Sequence, residues 1–207
     1  MTQTTRLLLI RHAEVEARYQ HVFGGRVDMD LSPRGYEQAA LLAKYLSRKP
    51  FDVLYASPMK RVQQTLVPTL TNGTPQPTIL RDLREVDFGD WTGHGWETVR
   101  EKFGVSAFTW LDQLEHDTIP NAESIVTYRK RIGDSLDQIL TTNVGKTIAV
   151  FCHGGVIRML LSILLNLPLP KTDAFQVEYA SITEVSIGPD RTRIELLNFA
   201  PWRDWMP

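Results

Sequence analysis

Two short apolar runs, Leu7-Leu8-Leu9-Ile10 and Ile148-Ala149-Val150-Phe151-Cys152, each lead into a histidine: His12, behind Arg11, and His153. A brief continuous apolar run is how a strand buried on both faces reads, and such strands belong to parallel sheets covered by helices. Loops at the carboxyl ends of these strands are where open α/β sheets hold their ligands. The pattern restricts the chain to an α/β architecture that delivers two imidazoles to one sheet edge, with Arg11 making that edge suited to an anion. One histidine at a strand end is ordinarily a structural hydrogen-bonding residue, so the reading needs other segments to converge on the same place.

The remaining elements fit an α/β rhythm. Ser32-Pro33 reads as a helix start, serine as cap and proline in the first turn, followed by Ala39, Leu42, Ala43 and Leu46 at helical spacing until Pro50. A strand over Asp52–Ala56 feeds a second start at Ser57-Pro58, whose helix carries Arg61 in its first turn. Thr78–Leu80 is a third short strand, Ile125–Leu140 an amphipathic helix, Thr147–Cys152 the fourth strand, and Val156–Leu167 an apolar helix stopped by Pro168. Ser181–Ile187 and Arg191–Leu197 flank Gly188-Pro189-Asp190 as a hairpin. The expected fold is a three-layer α/β/α sandwich with a mostly parallel sheet and an antiparallel C-terminal edge. One domain over 1–207 is expected, with an insertion at about 88–120 rich in Trp91, Trp96, Phe103, Phe108 and Trp110. Those aromatics either cover the site or fill a small core.

Composition narrows the partners. The 23 Lys and Arg balance 24 Asp and Glu, so bulk charge points to neither nucleic acid nor an anionic membrane. Cys152 is the only cysteine, which excludes an internal disulfide and a cysteine-based zinc site and suits a reducing cytoplasm. Met1–Arg6 is polar and precedes only four apolar residues, too few for a signal-peptide core, and the apolar stretch Met159–Leu169 is interrupted by Ser162, Asn166 and Pro168. The tail Pro201–Pro207 can pack on its own domain or on a second copy in a homodimer.

Phosphoryl transfer through a covalent intermediate needs a nucleophile, fixed positive charge and an acid for the leaving oxygen. His12 suits the nucleophile because imidazole is available in neutral form near pH 7. Arg11 and Arg61 offer planar forks that match phosphate oxygens, and Arg61 sits at a helix amino terminus. His153 adds a hydrogen bond, with Gly154 and Gly155 leaving backbone amides free to approach. Glu85 suits the acid, since a carboxyl group beside a phosphate dianion holds its proton more readily. The plainer account makes Arg11 and Arg61 surface residues and pairs Glu85 with Arg84.

In these residues the chain resembles the histidine phosphatase superfamily, which includes the cofactor-dependent phosphoglycerate mutases. Arg11-His12 matches its signature pair, followed by Phe23-Gly24-Gly25 and Leu31-Ser32-Pro33-Arg34-Gly35. Ser57-Pro58-Met59-Lys60-Arg61 resembles the second arginine motif, Leu83-Arg84-Glu85 through Trp91 the acid motif, Asn121-Ala122-Glu123-Ser124 a motif of the phosphatase branch, and His153-Gly154-Gly155 the second histidine. The resemblance implies that His12 is phosphorylated, that Arg11, Arg61 and His153 hold the phosphoryl group, and that Glu85 moves the proton, with no metal or other cofactor. Substrate contacts are expected from Arg18, Gly24, Gly25 and Gly154. Ala13 stands where the family has glycine, Arg18 where the mutases have asparagine, Gly24 in place of a hydroxyl residue and Arg26 in place of tryptophan. These changes favour hydrolysis of a small phosphate monoester over mutase chemistry, in the manner of α-ribazole phosphatases, while Arg18 and Arg26 suggest an acidic substrate such as a phosphorylated amino acid.

Three rival readings remain at this level. Phosphoglycerate mutase-type transfer uses the same residues. Cys152 with Arg158 six positions later has the spacing of cysteine-dependent phosphatases. A non-catalytic module that binds a phosphorylated metabolite needs only the basic pocket. A metal hydrolase built on His12, His153 and Glu85 lacks the helical histidine spacing such sites use.

Overall fold

A computed structural model describes residues 3–205. Its frame is a six-stranded sheet in the order β3-β2-β4-β1-β5-β6. β1 (Thr5–Arg11) runs parallel to β4 (Thr147–Cys152), β4 to β2 (Val53–Ala56), and β2 to the two-residue β3 (Thr78–Ile79). β5 (Ile182–Ile187) and β6 (Thr192–Phe199) add the antiparallel edge beyond β1. The register sets Arg11 opposite Cys152, so the chain leaves β1 and β4 at the same level and His12 and His153 emerge side by side.

The sheet is buried on both faces because its central strands are apolar throughout. Leu7, Leu9, Ile148 and Val150 face one core, while Leu8, Ile10, Leu54, Ala149 and Phe151 face the other. α1 (Pro33–Leu46) and α2 (Lys60–Leu66) cover the second face with Ala39, Leu42, Leu46, Val62 and Leu66. α5 (Ile125–Thr142) and α6 (Gly154–Leu164) cover the first with Tyr128, Ile132, Leu136, Val156 and Leu160. Each fully buried aliphatic or aromatic side chain contributes about 1.5–3 kcal/mol. This is the sandwich expected from the sequence.

Helix starts account for most of the differences. Ser32 caps α1 as expected, accepting from Gly35 N at 2.9 Å, with Pro33 in the first turn. Ser57 does not cap α2, which begins only at Lys60 with Met59 at the cap position; its hydroxyl bonds His153 Nε2 at 2.8 Å and accepts from Met59 N at 3.4 Å. α6 starts at Gly154 rather than Val156 and stops at Leu164 rather than Leu167: Asn166 takes a left-handed turn (φ 51°), and Leu167 N returns to Ser162 O at 2.9 Å.

Between β3 and α5, the stretch of 88–120 holds α3 (Trp96–Phe103) and α4 (Trp110–Glu115). Its aromatics differ in burial. Trp91 is 1% exposed and packs against Phe23 and Phe103, whereas Trp96 (37%) and Phe108 (74%) stay in solvent. α7 (Pro201–Asp204) lies on α1, with the Arg34 guanidinium 5.1 Å from the Trp202 ring and Trp205 against Tyr45. The described part of the tail thus packs on its own chain; Met206 and Pro207 lie outside the described residues. Among the described residues no helix is long and apolar enough to cross a membrane.

Candidate active site

His12, at the end of β1, is 5% exposed, and its backbone is held by His12 N to Cys152 O and Ala180 N to His12 O, both 3.1 Å. Its Nδ1 lies 2.8 Å from Ala13 O. A carbonyl only accepts, so Nδ1 carries the proton and Nε2 keeps its lone pair. Burial first, then the charges of Arg61 and Arg11, hold His12 well below the usual imidazole range. The residue is therefore a neutral imidazole with an unprotonated Nε2 at neutral pH.

Arg61, in the first turn of α2, is 2% exposed and points Nε at His12 Nε2, 3.3 Å away. Its other nitrogens donate to Val27 O (2.9 Å) and Gly25 O (3.0 Å). Gly25 reaches this position at φ 45°, a backbone state that glycine adopts without strain. Burial pulls the Arg61 guanidinium down to about 10, so it remains a cation near neutrality. Arg11 lies half-buried with its guanidinium 4.1 Å from the Tyr179 ring centre and NH1 on Val177 O at 2.6 Å, and its buried Nε has no partner. A buried cationic donor without an acceptor is costly and marks where an anion belongs.

His153 caps α6 behind His12, with ring centres 5.3 Å apart. It is fully buried, and burial, Arg61 and His12 all push its pKa well below the usual value. Glu85 lies across from the start of α6 and accepts from Gly155 N at 3.1 Å. The loop carrying it is pinned from α5. Arg131 donates to the carbonyls of Asp82, Arg84 and Glu85 while its Nε and NH2 grip both oxygens of Glu123 at 2.6 and 2.8 Å. Glu85 is held by backbone and not by Arg84, so the plainer pairing does not occur.

Arg11, His12, Arg61, Glu85, Gly24, Gly25 and Gly154 all line one cleft of about 320 Å³; His153 is fully buried and does not line it, its ring centre 5.3 Å from that of His12. Arg18 does not join them. It pairs with Glu16 at 2.8 Å on an exposed turn, because that carboxylate is only two residues away. Arg26 likewise pairs with Asp87 at 3.2 Å, outside the cleft wall. Cys152 is fully buried in the sheet and does not line the cleft, and burial pushes its thiol upward, against a thiolate nucleophile. Arg158 lines the cleft but donates to Thr172 O.

Sequence reasoning did not anticipate the bond from Ser57 to His153 or the Arg131 clip. Arg131 carried a faint signal. Ser124 caps α5, so Glu123 just precedes the helix and Arg131, about two turns on, returns to the same side. Among the described residues no three His, Cys, Asp or Glu side chains group as a metal ion would require.

Curated relatives align over most of the chain. Phosphoserine phosphatase 1 of Hydrogenobacter thermophilus is 31% identical over 194 residues, covering 93% of this chain and 92% of its own. The adenosylcobalamin/α-ribazole phosphatase of Escherichia coli K12 is 25% identical over 193 residues, covering 93% and 95%. Among solved structures, the phosphoserine phosphatase of Entamoeba histolytica in complex with 3-phosphoglyceric acid superposes with a TM-score of 0.80 at 25% identity, over 98% of this chain and all of that one. A sequence profile of the histidine phosphatase superfamily (branch 1) matches residues 7–200, and the chain belongs to that family.

Proposed function

We propose that the protein hydrolyses a small phosphate monoester in two in-line steps through a phosphorylated His12, without a metal ion. The observation that carries this reading is the unprotonated Nε2 of His12, which accepts a 3.3 Å hydrogen bond from Arg61 Nε–H at the cleft wall. In the first step His12 Nε2 attacks phosphorus and the bond to the alcohol oxygen breaks. The departing oxygen takes the proton of the Glu85 carboxyl group. The positive charge gained by the ring is stabilised through Nδ1–H on Ala13 O. In the second step the Glu85 carboxylate removes a proton from water, the water oxygen bonds to phosphorus, and the N–P bond breaks to return neutral His12 and inorganic phosphate. Arg11 and Arg61 hold the equatorial oxygens, His153 lends a ring hydrogen bond, and Gly24, Gly25 and Gly154 shape the cleft. The donor set supports a metal-free route, because two guanidiniums repel a cation from the place where phosphate sits. Family membership and the phosphatase names of the relatives support hydrolysis.

The test is a rapid quench with radiolabelled monoester. Acid-labile, base-stable label on wild-type protein, lost together with turnover in His12→Ala, is the expected result, with activity persisting in a strong chelator. Label on Cys152, turnover in His12→Ala, or loss of activity in chelator overturns the corresponding part.

A further inference from the structure

Besides the charged residues, the cleft is lined by apolar and aromatic side chains that include Tyr19, Val22, Met29, Trp96, Phe108 and Trp110. Trp96 and Phe108 are the exposed members. They remain 37% and 74% exposed in a segment that buries Trp91 to 1%. Both rings are nonetheless fixed: they meet edge to face at 5.1 Å, and Trp96 packs the same way on His21 at 4.7 Å. Large aromatic faces held wet and oriented at the mouth of a cleft favour a flat apolar group laid over them.

Three guanidiniums line the cleft, and none belongs to the aromatic segment. Arg158, one turn into α6, lies within electrostatic reach of Arg11 and Glu85 and donates to Thr172 O, with the Asp173 carboxylate nearby. Arg18 and Arg26, the two arginines suggestive of an acidic substrate, are turned away onto Glu16 and Asp87. An alcohol bearing a carboxylate would thus find no guanidinium among the aromatic side chains, whereas a neutral ring would meet its preferred surface.

We infer that this aromatic lining is a subsite for the alcohol portion of the substrate, and that the alcohol carries an uncharged one- or two-ring aromatic group, a conclusion that rests on the phosphatase reading above. The cleft, at about 320 Å³, holds a phosphate and a ring system of that size but not a long chain.

Two measurements test it. The first compares kcat/KM for benzyl, 2-naphthylmethyl and n-propyl phosphates and for phosphoserine. Stacking on an aromatic side chain is worth about 5- to 150-fold, so the arylmethyl esters should exceed propyl phosphate by roughly tenfold or more and should also exceed phosphoserine. Phe108→Ala and Trp96→Ala should each shrink the aryl-to-propyl ratio several-fold, a quantity from which any global loss of active protein cancels. The second measures binding of 2-naphthylmethyl phosphonate against methyl phosphonate to wild-type protein by calorimetry, which needs no turnover. Hydrolysis without a ring preference, preference for phosphoserine, or a ratio unmoved by both variants overturns the subsite alone. Ring-selective phosphonate binding with no ester hydrolysed supports the subsite and overturns the hydrolytic reading.

Discussion

Gly155 is the position where one added methyl group should separate the fold from the chemistry. A Cβ there would lie 2.5 Å from Glu85 Oε1 and 3.2 Å from both Glu85 Cδ and the Tyr128 hydroxyl. Nonbonded carbon and oxygen settle at about 3.3 Å or more, so in Gly155→Ala the carboxylate must retreat by roughly 1 Å. A misplacement of that size costs about 10²-fold in a positioned reaction, and general acid–base catalysis as a whole is worth about 10²–10⁴-fold. The backbone has no objection to the change. Gly155 sits in the first turn of α6 with an ordinary φ, where alanine is favoured over glycine by up to about 1 kcal/mol. The expected outcome is therefore a kcat about 10²-fold lower on alkyl phosphates, with a melting temperature within a few degrees of wild type. Burst kinetics on 4-nitrophenyl phosphate sharpen the assignment, because nitrophenolate departs without a proton. The burst should survive while the slow second step, in which Glu85 acts as base, falls. Alkyl ester turnover within about threefold of wild type in a folded Gly155→Ala protein would refute the role given to Glu85.

Removing the clip in Arg131→Met should lower kcat on alkyl esters more than it changes KM, by freeing the loop that carries Glu85. It should also destabilise by about 3–5 kcal/mol in urea melts, since Glu123, its side chain 5% exposed, is left charged without its main partner; Glu123→Gln added to that variant should recover part of the loss. His12 and His153 both resist protonation when folded, whereas the unfolded chain takes up those protons near pH 6.5. Stability should thus be full above that pH and fall below it, at up to about 1.4 kcal/mol per pH unit for each histidine until the folded state protonates; melts at pH 7.5 and 5.5 in phosphate-free buffer, with His153→Asn for comparison, check the slope. Cys152→Ser should leave kcat near wild type while lowering the melting temperature, as a hydroxyl replaces a buried thiol between core residues; lost turnover in a folded variant would revive the thiol nucleophile.

Most of this site was legible because the signals are local. An apolar run of four to six residues ending in histidine reports a buried strand and its exit loop without help from the rest of the chain. The Ser32-Pro33 start of α1 and the hairpin around Gly188 are equally self-contained. Strand order is not: nothing in residues 7–12 or 147–153 says that β1 and β4 are neighbours, and only the register Arg11 opposite Cys152 turns two separate histidines into one pair. Arg18 was misplaced because a neighbour two residues away outcompetes a distant cleft for its charge. Ser57 followed by Pro58 reads as a cap, but the helix starts two residues further on, and the hydroxyl's bond to a histidine 96 residues later carries no local signal. The Arg131 clip escaped notice because its targets are backbone carbonyls, which no residue pattern advertises.

The common origin of these features is the parallel pairing itself. Placing two histidines at the exit of adjacent buried strands strips them of water, and desolvation is the first cause of the lowered proton affinity of both. The Arg61 and Arg11 guanidiniums act in the same direction, so in the proposed mechanism the charges that would hold phosphate also keep the nucleophile neutral. On an exposed loop, the same four side chains would still attract phosphate, but the imidazole would sit nearer its ordinary proton affinity and be partly protonated below neutrality. The chemistry proposed for His12 therefore follows from where the sheet puts it as much as from which residue it is.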